Sequence, residues 1–332
     1  MANARRAASS RCAGLVLAVS VGILLLATVS AASAFQPHRN ASSGGAGLRG
    51  RIVFSLSVRQ RNELAVVNAD GSGGLSLLRT PRATADFSSP SWSPDGKTIA
   101  YYGGGAGSVW TVNGDGTHPH QIAVWSNPDS GDSGGPGIAW SPDGHRLAYT
   151  RANGLYLVNA DGTGLRRLIR DGSNFGADAY PSWSPDSQRI LYDGLVGGSS
   201  TGPLDGWYVI HADGTHNGLI WSPSRGADVD PGRDEPHWSP NGSRILYTRN
   251  RGVADNATTY IYTVNGDGSG VHRLGRGDEP SWSPDGKYIV FSRNLDGTLW
   301  TMTSNGTNQH KIWPQHGVCA NGCADPAWGR GT

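Results

Sequence analysis

Short runs of alternating apolar and polar residues, separated by turn sequences, extend along most of the chain. In a representative stretch, RILYT (244–248) and YIYTVN (260–265) are rich in β-branched and aromatic residues. SPNG (239–242) precedes them and GDG (266–268) follows them, and turns of this kind join adjacent antiparallel strands. Helical apolar periodicity is absent from the sequence after the first 34 residues, so the pattern predicts an all-β fold.

This pattern recurs at the spacing of a propeller blade. Trp-Ser-Pro-Asp-Gly, its variants and one shortened copy occur at intervals of 43 to 55 residues, with their tryptophans at Trp92, Trp140, Trp183, Trp238, Trp282 and Trp328. A second signature, N-x-D-G or a close variant, alternates strictly with the first. Four short strands in a repeat of this length indicate a β-propeller.

The two ends of the repeat region complement each other. GRIVF (50–54) aligns with the second strand of the other repeats but lacks a P-x-W strand before it, whereas DPAW (325–328) is an additional P-x-W strand. We therefore predict a six-bladed β-propeller over residues 50–332, with four antiparallel strands per blade. The C-terminal strand is expected to join the first blade and close the ring, which removes exposed sheet edges.

The repeat P-x-W-S-P-D-G-x-x-I-A-[YF], followed by L-[YW]-x-V-N-x-D-G-[TS], resembles that of the TolB-like six-bladed propellers, a WD40-like (PD40) repeat family. The resemblance covers about residues 50–329. The same repeat builds the propellers of prolyl-oligopeptidase-like peptidases, so it implies a fold more strongly than a function. Because only about 15 residues separate Ala34 from the first strand, we expect no N-terminal TolB domain, and we expect no peptidase domain.

The first 34 residues have the organisation of a secretory signal peptide. Three arginines precede an apolar run (about 14–29), and Ala32-Ser33-Ala34 is a small-residue cleavage site. We predict cleavage after Ala34, a short flexible segment at 35–49, and export to the cell envelope, periplasm or exterior. The alternative is a retained membrane anchor, because the apolar run is nearly long enough to span a bilayer.

Composition narrows the classes of function. The formal net charge is +2 and 16% of the residues are charged, so the basic footprint of a nucleic-acid-binding protein is absent. In an exported chain, the proximity of Cys319 and Cys323 favours one local disulfide. A metal site there is the weaker alternative, because His316 is the only other ligand type nearby. We expect neither a metal nor a cofactor.

Two motifs suggest chemistry that their context does not favour. GDSGGP (131–136) matches the nucleophile loop of trypsin-like proteases, but no histidine of a suitable context precedes it, and it is predicted to connect two blades. The N-x-D-G-[ST] sequences resemble the start of a calcium loop, yet in the copy at Asn159 the required position-12 Glu is Arg170. We interpret them as hairpin turns, and the repeated tryptophans as packing between blades.

Carboxylates recur just before the innermost strands, whose starts converge on one mouth of the central channel. Loops between the second and third strands open at the same mouth and carry arginines. The sequence predicts a ligand-binding site at this mouth, formed by Asp178, Asp234, Glu235, Asp278, Glu279, Asp325, Arg151, Arg249 and Arg293. The alternative is Arg–carboxylate pairing that ties blades together. We expect the acids to be surface groups whose neutralisation leaves stability unchanged.

The leading hypothesis is an exported, non-catalytic propeller that binds a protein, peptide or cell-envelope component at this mouth, where long loops also gather. Two alternatives remain open: an extracellular enzyme acting on a carbohydrate or lactone, and a structural scaffold of an envelope complex. Catalysis is less favoured than binding, because it usually needs histidine with carboxylate and only His237 falls within a predicted innermost strand. Membrane contact is expected only if the signal segment is retained.

Overall fold

A computed structural model describes the strands of six sheets and the turns within them. The described residues are 48–58, 61–78, 88–103, 108–123, 137–151, 154–169, 180–194, 206–221, 235–251, 258–293, 297–313 and 323–331. Within these ranges, no helix is long and apolar enough to cross a membrane.

Each sheet is one antiparallel four-stranded blade, and its strands are named from the innermost outwards. Blade 1 contains β24 (Cys323–Gly329), β1 (Arg51–Val58), β2 (Arg61–Asn68) and β3 (Ser76–Leu78). Blade 2 contains β4 (Ser88–Trp92), β5 (Thr98–Gly103), β6 (Ser108–Asn113) and β7 (His120–Ala123). Blade 3 contains β8 (Ile138–Trp140), β9 (Arg146–Arg151), β10 (Gly154–Asn159) and β11 (Arg166–Arg167).

The remaining blades follow the same order. Blade 4 contains β12 (Ser182–Trp183), β13 (Arg189–Gly194), β14 (Gly206–His211) and β15 (Gly218–Trp221). Blade 5 contains β16 (His237–Trp238), β17 (Arg244–Arg251), β18 (Thr258–Asn265) and β19 (His272–Arg276). Blade 6 contains β20 (Asp278–Trp282), β21 (Tyr288–Arg293), β22 (Thr298–Thr303) and β23 (His310–Trp313). The predicted six-bladed all-β propeller is therefore confirmed.

The Trp-Ser-Pro-Asp-Gly sequence forms the turn between the first and second strands of a blade. In blade 2, Ser93 Oγ donates to Asp95 Oδ1 (2.6 Å), which also accepts the backbone N–H of Lys97 (3.1 Å). The backbone N–H of Thr98 donates to Ser93 Oγ (2.9 Å). The equivalent acceptors in blades 3, 4, 5 and 6 are Asp143, Asp186, Asn241 and Asp285. The repeated motif therefore encodes a turn closed by its own side chains.

The N-x-D-G sequences form the hairpin turns between the third and fourth strands. In blade 2, Asp115 Oδ1 accepts both the backbone N–H (2.9 Å) and the hydroxyl (2.6 Å) of Thr117. The backbone N–H of Asn113 donates to the Thr117 carbonyl (2.9 Å), and Gly116 has a φ of 85°. These side chains are used within the turn, which confirms the interpretation as hairpins.

The repeated tryptophans pack between neighbouring blades. Trp92 of blade 2 lies in one apolar cluster with Val53 and Leu64 of blade 1. The indole N–H groups of Trp183 and Trp282 donate to backbone carbonyls of the preceding blade, at 3.1 and 3.4 Å. The tryptophans therefore hold adjacent blades together, as the sequence predicts.

The last strand closes the ring. In the pairing of β24 with β1, Ile52 lies opposite Trp328 and Val53 lies opposite Ala327. The indole of Trp328 is buried and donates to the carbonyl of Arg49 (2.9 Å). Contacts of β24 with both β20 and β4 place it between blades 6 and 2. The prediction that the C-terminal strand completes blade 1 is confirmed.

Several expectations fall outside the described residues. They are the signal segment 1–34, most of the segment 35–49, the protease-like loop 126–136, and the side chains of Cys319 and Cys323. Cleavage after Ala34 and the local disulfide therefore stay predictions.

Candidate functional site

Four described carboxylates lie where the innermost strands of three consecutive blades begin. Glu235 precedes β16 in blade 5, Asp278 and Glu279 begin β20 in blade 6, and Asp325 lies in β24 of blade 1. Glu235, Glu279 and Asp325 each immediately precede the proline of a P-x-W sequence. The predicted convergence of these acids is therefore present in blades 5, 6 and 1. Asp178 and Asp234 lie outside the described residues.

Hydrogen bonds link these carboxylates from blade to blade. The backbone N–H of Asp325 donates to Glu279 Oε2 (2.8 Å), across the boundary between blades 6 and 1. The backbone N–H of Ser89 in blade 2 donates in turn to Asp325 Oδ2 (3.1 Å). Each of these two carboxylates therefore accepts a bond from the next blade and contributes to ring cohesion.

Two further donors belong to blade 6 itself. The hydroxyl of Ser292 on β21 donates to Glu279 Oε2 (3.2 Å), and the backbone N–H of Glu279 donates to Asp278 Oδ1 (3.1 Å). Sequence reasoning missed Ser89 and Ser292. Ser89 occupies the same pre-proline position as the acids, and this equivalence is the signal that identifies it.

The backbone at the pre-proline position is left-handed in four blades. The φ angles are 50° at Ser89, 42° at Glu235, 48° at Glu279 and 51° at Asp325. A residue before proline favours an extended conformation, and a non-glycine residue at positive φ is uncommon. Strained conformations of this kind persist only where the surrounding structure holds them, and they often mark functional positions. Their recurrence around the channel supports this mouth as a candidate site.

The protein environment opposes ionisation of Glu235. Glu235 is only 5% exposed. Its burial, followed by the negative charges of Glu279, Asp278 and Asp325, raises its pKa well above the ordinary value, although a hydrogen bond with Tyr180 acts in the opposite direction. The expectation that this carboxylate is a surface group is therefore wrong.

Glu279 is in a similar situation. Desolvation raises its pKa well above the ordinary value, and the charges of Asp325 and Asp278 add to the shift. The hydrogen bonds donated by Asp325 and Ser292 oppose it. Because like charges so close together disfavour full ionisation, Glu235 and Glu279 retain their protons to a higher pH than isolated glutamates do.

His237 is the one histidine on a described innermost strand. Desolvation lowers its pKa to about 4, because a low-dielectric environment disfavours the imidazolium. His237 is therefore neutral at physiological pH and adds no positive charge to the acidic cluster.

The three predicted arginines occupy different environments. Arg151 ends β9 and is 3% exposed, whereas Arg249 on β17 is half-buried. Arg293 ends β21, donates through Nη2 to Gln309 Oε1 (2.6 Å), and stacks on the Trp300 ring at 3.8 Å. These contacts direct the Arg293 guanidinium toward its own blade. A role for the three arginines in ligand binding stays a prediction.

Comparison with known proteins agrees with the repeat pattern and the sheet topology. The model of the TolB beta propeller domain, PD40, matches residues 45–332. The chain belongs to the TolB propeller family. It is 30% identical over 139 residues to the Tol-Pal system protein TolB of Anaeromyxobacter dehalogenans (strain 2CP-C), and 27% identical over 151 residues to that of Bordetella pertussis.

The alignments with these TolB proteins are partial. They cover 40% and 44% of this chain but 29% and 33% of the relatives, so the chain spans about a third of the length of the curated relatives it matches. Among solved structures, TolB from Acinetobacter baumannii aligns with a TM-score of 0.66 at 19% identity, covering 86% of this chain and 68% of that one.

The propeller fold also appears in a solved structure of a different name. A chain of the nidogen/laminin complex aligns with a TM-score of 0.62 at 12% identity, covering 84% of this chain and 97% of that one. At such low identity, similarity to solved structures establishes the fold alone. Function has to be argued from the site.

Proposed function

We propose that this chain is an exported, non-catalytic propeller that binds a protein, peptide or cell-envelope component at the channel mouth bearing Glu235, Asp278, Glu279 and Asp325. The observation that carries the proposal is the convergence of these carboxylates from three consecutive blades, with Glu235, Glu279 and Asp325 on left-handed backbone. Carboxylates in one place attract basic groups and accept hydrogen bonds from backbone or side-chain N–H donors.

The relatives support this proposal at the level of the system in which they act. The curated relatives are named as Tol-Pal system proteins, which favours a role in an assembly of the cell envelope. Because the chain spans only part of their length, the partner is defined by its chemistry: a segment that presents positive charge or N–H donors to the acidic mouth.

Export is part of the proposal. The charged start, the apolar run and the Ala32-Ser33-Ala34 site support it. N-terminal sequencing of the protein recovered outside the cytoplasm is expected to begin at Phe35. Recovery of an intact Met1 in the membrane fraction would indicate an anchor and contradict cleavage.

The site is tested by capture of envelope components with purified protein, comparing Asp278→Asn combined with Asp325→Asn against the unchanged chain. We expect capture of the same component to fall, and added salt to reduce the difference between the two proteins, because charge attraction at a mouth is screened. Asp267→Asn is the matched control. Asp267 lies in an N-x-D-G turn at the opposite end of the sheets, where blade 6 carries Asn305. Undiminished capture by the double variant would place the site elsewhere.

A further inference from the structure

A cleft of about 510 Å³ opens between blades 2 and 3, on the face opposite the carboxylates. Its lining includes Asp95 and Thr98 of blade 2, and Trp140, Gly144 and Ala160 of blade 3. Except for Thr98, the first residue of β5, these residues belong to the Trp-Ser-Pro-Asp-Gly and N-x-D-G sequences, which the proposed function does not use.

The boundary between blades 1 and 2 shows what fills the equivalent space elsewhere. The Arg51 guanidinium of blade 1 lies over the Trp92 ring of blade 2, 4.8 Å from its centroid. It donates to the carbonyl oxygens of Gly96 and Gly114, at 3.2 Å each. One indole face and two backbone carbonyls therefore form a guanidinium site that the chain fills with its own arginine.

The boundary between blades 3 and 4 repeats this arrangement. Arg146 lies over the Trp183 ring at 4.9 Å and donates to the Ser187 carbonyl (2.7 Å). Its guanidinium also pairs with Asp143 of its own blade (3.3 Å). A carboxylate from the Trp-Ser-Pro-Asp-Gly turn thus adds a counter-ion to the site.

Blade 2 lacks the side chain that would fill its own cleft. At the first residue of the second strand, blades 1, 3, 4, 5 and 6 carry Arg51, Arg146, Arg189, Arg244 and Tyr288. Tyr288 stacks on Trp328 in the same manner. Blade 2 has Thr98, which is too short to reach across the boundary. Trp140 is half-buried, as is Trp238, whereas Trp92 and Trp183, which lie under Arg51 and Arg146, are buried.

The remaining components of the guanidinium site are present in the cleft. By repeat position, Trp140 corresponds to Trp92, Gly144 to Gly96, and Ala160 to Gly114. Asp95 stands in blade 2 where Asp143 holds Arg146 in blade 3. All four residues line the cleft.

We propose that this cleft binds a guanidinium group supplied from outside the chain, as the side chain of an arginine in a partner protein. The group would lie over Trp140, donate to the carbonyls of Gly144 and Ala160, and pair with Asp95. A guanidinium suits the cleft better than an ammonium, because its planar fork stacks on an aromatic face while donating several in-plane hydrogen bonds.

The test uses the mature chain and follows the indole N–H signal of Trp140 by NMR, assigned with Trp140→Phe. The probe is a blocked Gly-Arg-Gly peptide, compared with peptides that carry citrulline or lysine instead. We expect a saturable shift with the arginine peptide and at least about 10-fold weaker binding of the citrulline peptide, which lacks the charge. Equal binding of the arginine and citrulline peptides, or no saturable shift, would overturn the proposal.

A titration with free arginine distinguishes two sources of the guanidinium: an arginine side chain of a partner protein and a small molecule. Binding of the peptide at least as tightly as free arginine supports an arginine within a partner chain. Binding of free arginine alone would overturn the assignment to a protein partner and make the cleft a small-molecule site.

Thr98→Arg is the decisive variant, because it introduces the arginine that blades 1, 3, 4 and 5 carry at this position. We expect it to abolish peptide binding and to raise the thermal midpoint by about 1–3 °C through one new stacked cation. Gln188→Arg is the control, since it adds the same charge at an exposed turn position of blade 4. Unchanged peptide binding by Thr98→Arg would contradict the proposal.

Asp95→Asn provides a second variant that preserves the turn. Asn241 occupies this position in blade 5 and accepts the same hydrogen bonds from Ser239 and Ser243. Loss of the charge is expected to weaken binding of the arginine peptide about 5- to 10-fold. Binding that does not change would exclude Asp95 as the counter-ion and overturn the proposed geometry.

Discussion

The surroundings of individual carboxyl groups in this propeller shift their pKa values in opposite directions. Asp115 is fully exposed, and hydrogen bonds from Thr117 lower its pKa. Glu235 is buried beside three other acids, and its pKa is raised. The difference follows from solvation and neighbours: donors stabilise the charged form in the turn, whereas desolvation and like charges destabilise it in the channel.

At the residue scale, we predict an unusual dependence of stability on pH. A carboxyl whose pKa is raised in the folded state stabilises the protein below its unfolded pKa, and this contribution is lost as pH rises through the folded value. For Glu235 and Glu279 the window therefore begins near the ordinary value of 4.5 and extends to higher pH. Urea unfolding in steps of pH is expected to show the unfolding free energy falling across this window.

Glu235→Gln and Glu279→Gln are expected to flatten that fall, because neither amide ionises. Glu63→Gln on β2 is the control for a glutamate outside the cluster, and it should leave the slope unchanged. The turn aspartates titrate below their ordinary value of 3.8, so they act in a separate, more acidic window. A slope that is the same in the wild type and in both channel variants would contradict the buried-carboxylate account.

At the scale of elements, identical turns meet different neighbours. Gly96 and Gly144 occupy the same position of the Trp-Ser-Pro-Asp-Gly turn, with φ angles of 72° and 75°. A methyl group on Gly96 would lie 2.4 Å from the Arg330 carbonyl oxygen, whereas one on Gly144 would approach only Pro94 Cδ, at 4.0 Å. In blade 4 the position is Ser187 with a φ of 58°, so a side chain is tolerated where space allows.

We therefore predict unequal costs for one substitution made in two copies of the turn. Gly144→Ala is expected to lower the unfolding free energy by about 1–2 kcal/mol, the cost of left-handed backbone for an L-residue. Gly96→Ala should cost more, because the C-terminal segment must also move away. Chemical denaturation of both variants measures the difference, and equal losses would show that the contact with Arg330 is unimportant.

At the scale of the whole molecule, stability depends on the joint between the two ends of the propeller. Residues at the C-terminus supply the innermost strand of blade 1, and Trp328 packs with Ile52 and Phe54 of β1 and Val290 of blade 6. Without this strand, β1 would become an unpaired edge inside the ring.

Deletion of residues 324–332 is expected to lower stability strongly, since loss of one buried aromatic already costs about 3–5 kcal/mol. Trimming residues 35–45 is the matched truncation at the other end of the mature chain and is expected to have little effect. Thermal midpoints of the two truncated proteins provide the comparison. Equal midpoints would contradict the importance of strand closure.

The sequence by itself determined the architecture of this protein. Five copies of the Trp-Ser-Pro-Asp-Gly turn and six of the N-x-D-G type specify the hairpins, because serine, aspartate, asparagine and glycine close these turns with local hydrogen bonds. Strand alternation and the extra P-x-W strand at DPAW (325–328) predicted four strands per blade and closure on blade 1. These features are local or periodic, so a single amino-acid sequence is sufficient to reveal them. The same periodicity predicts that the acids lie at the starts of the innermost strands.

The tertiary structure alone decided how those acids are surrounded. Packing between residues far apart in the chain buries Glu235. It also brings the backbone N–H groups of Ser89 and Asp325 to the carboxylates of neighbouring blades, and it holds the left-handed backbone before proline. The direction of Arg293 toward Gln309 also depends on the surrounding strands. Likewise, the significance of Thr98 emerges only from the packing of Arg51 on Trp92 and of Arg146 on Trp183. Such properties arise from distances between blades, which periodicity along the sequence does not encode.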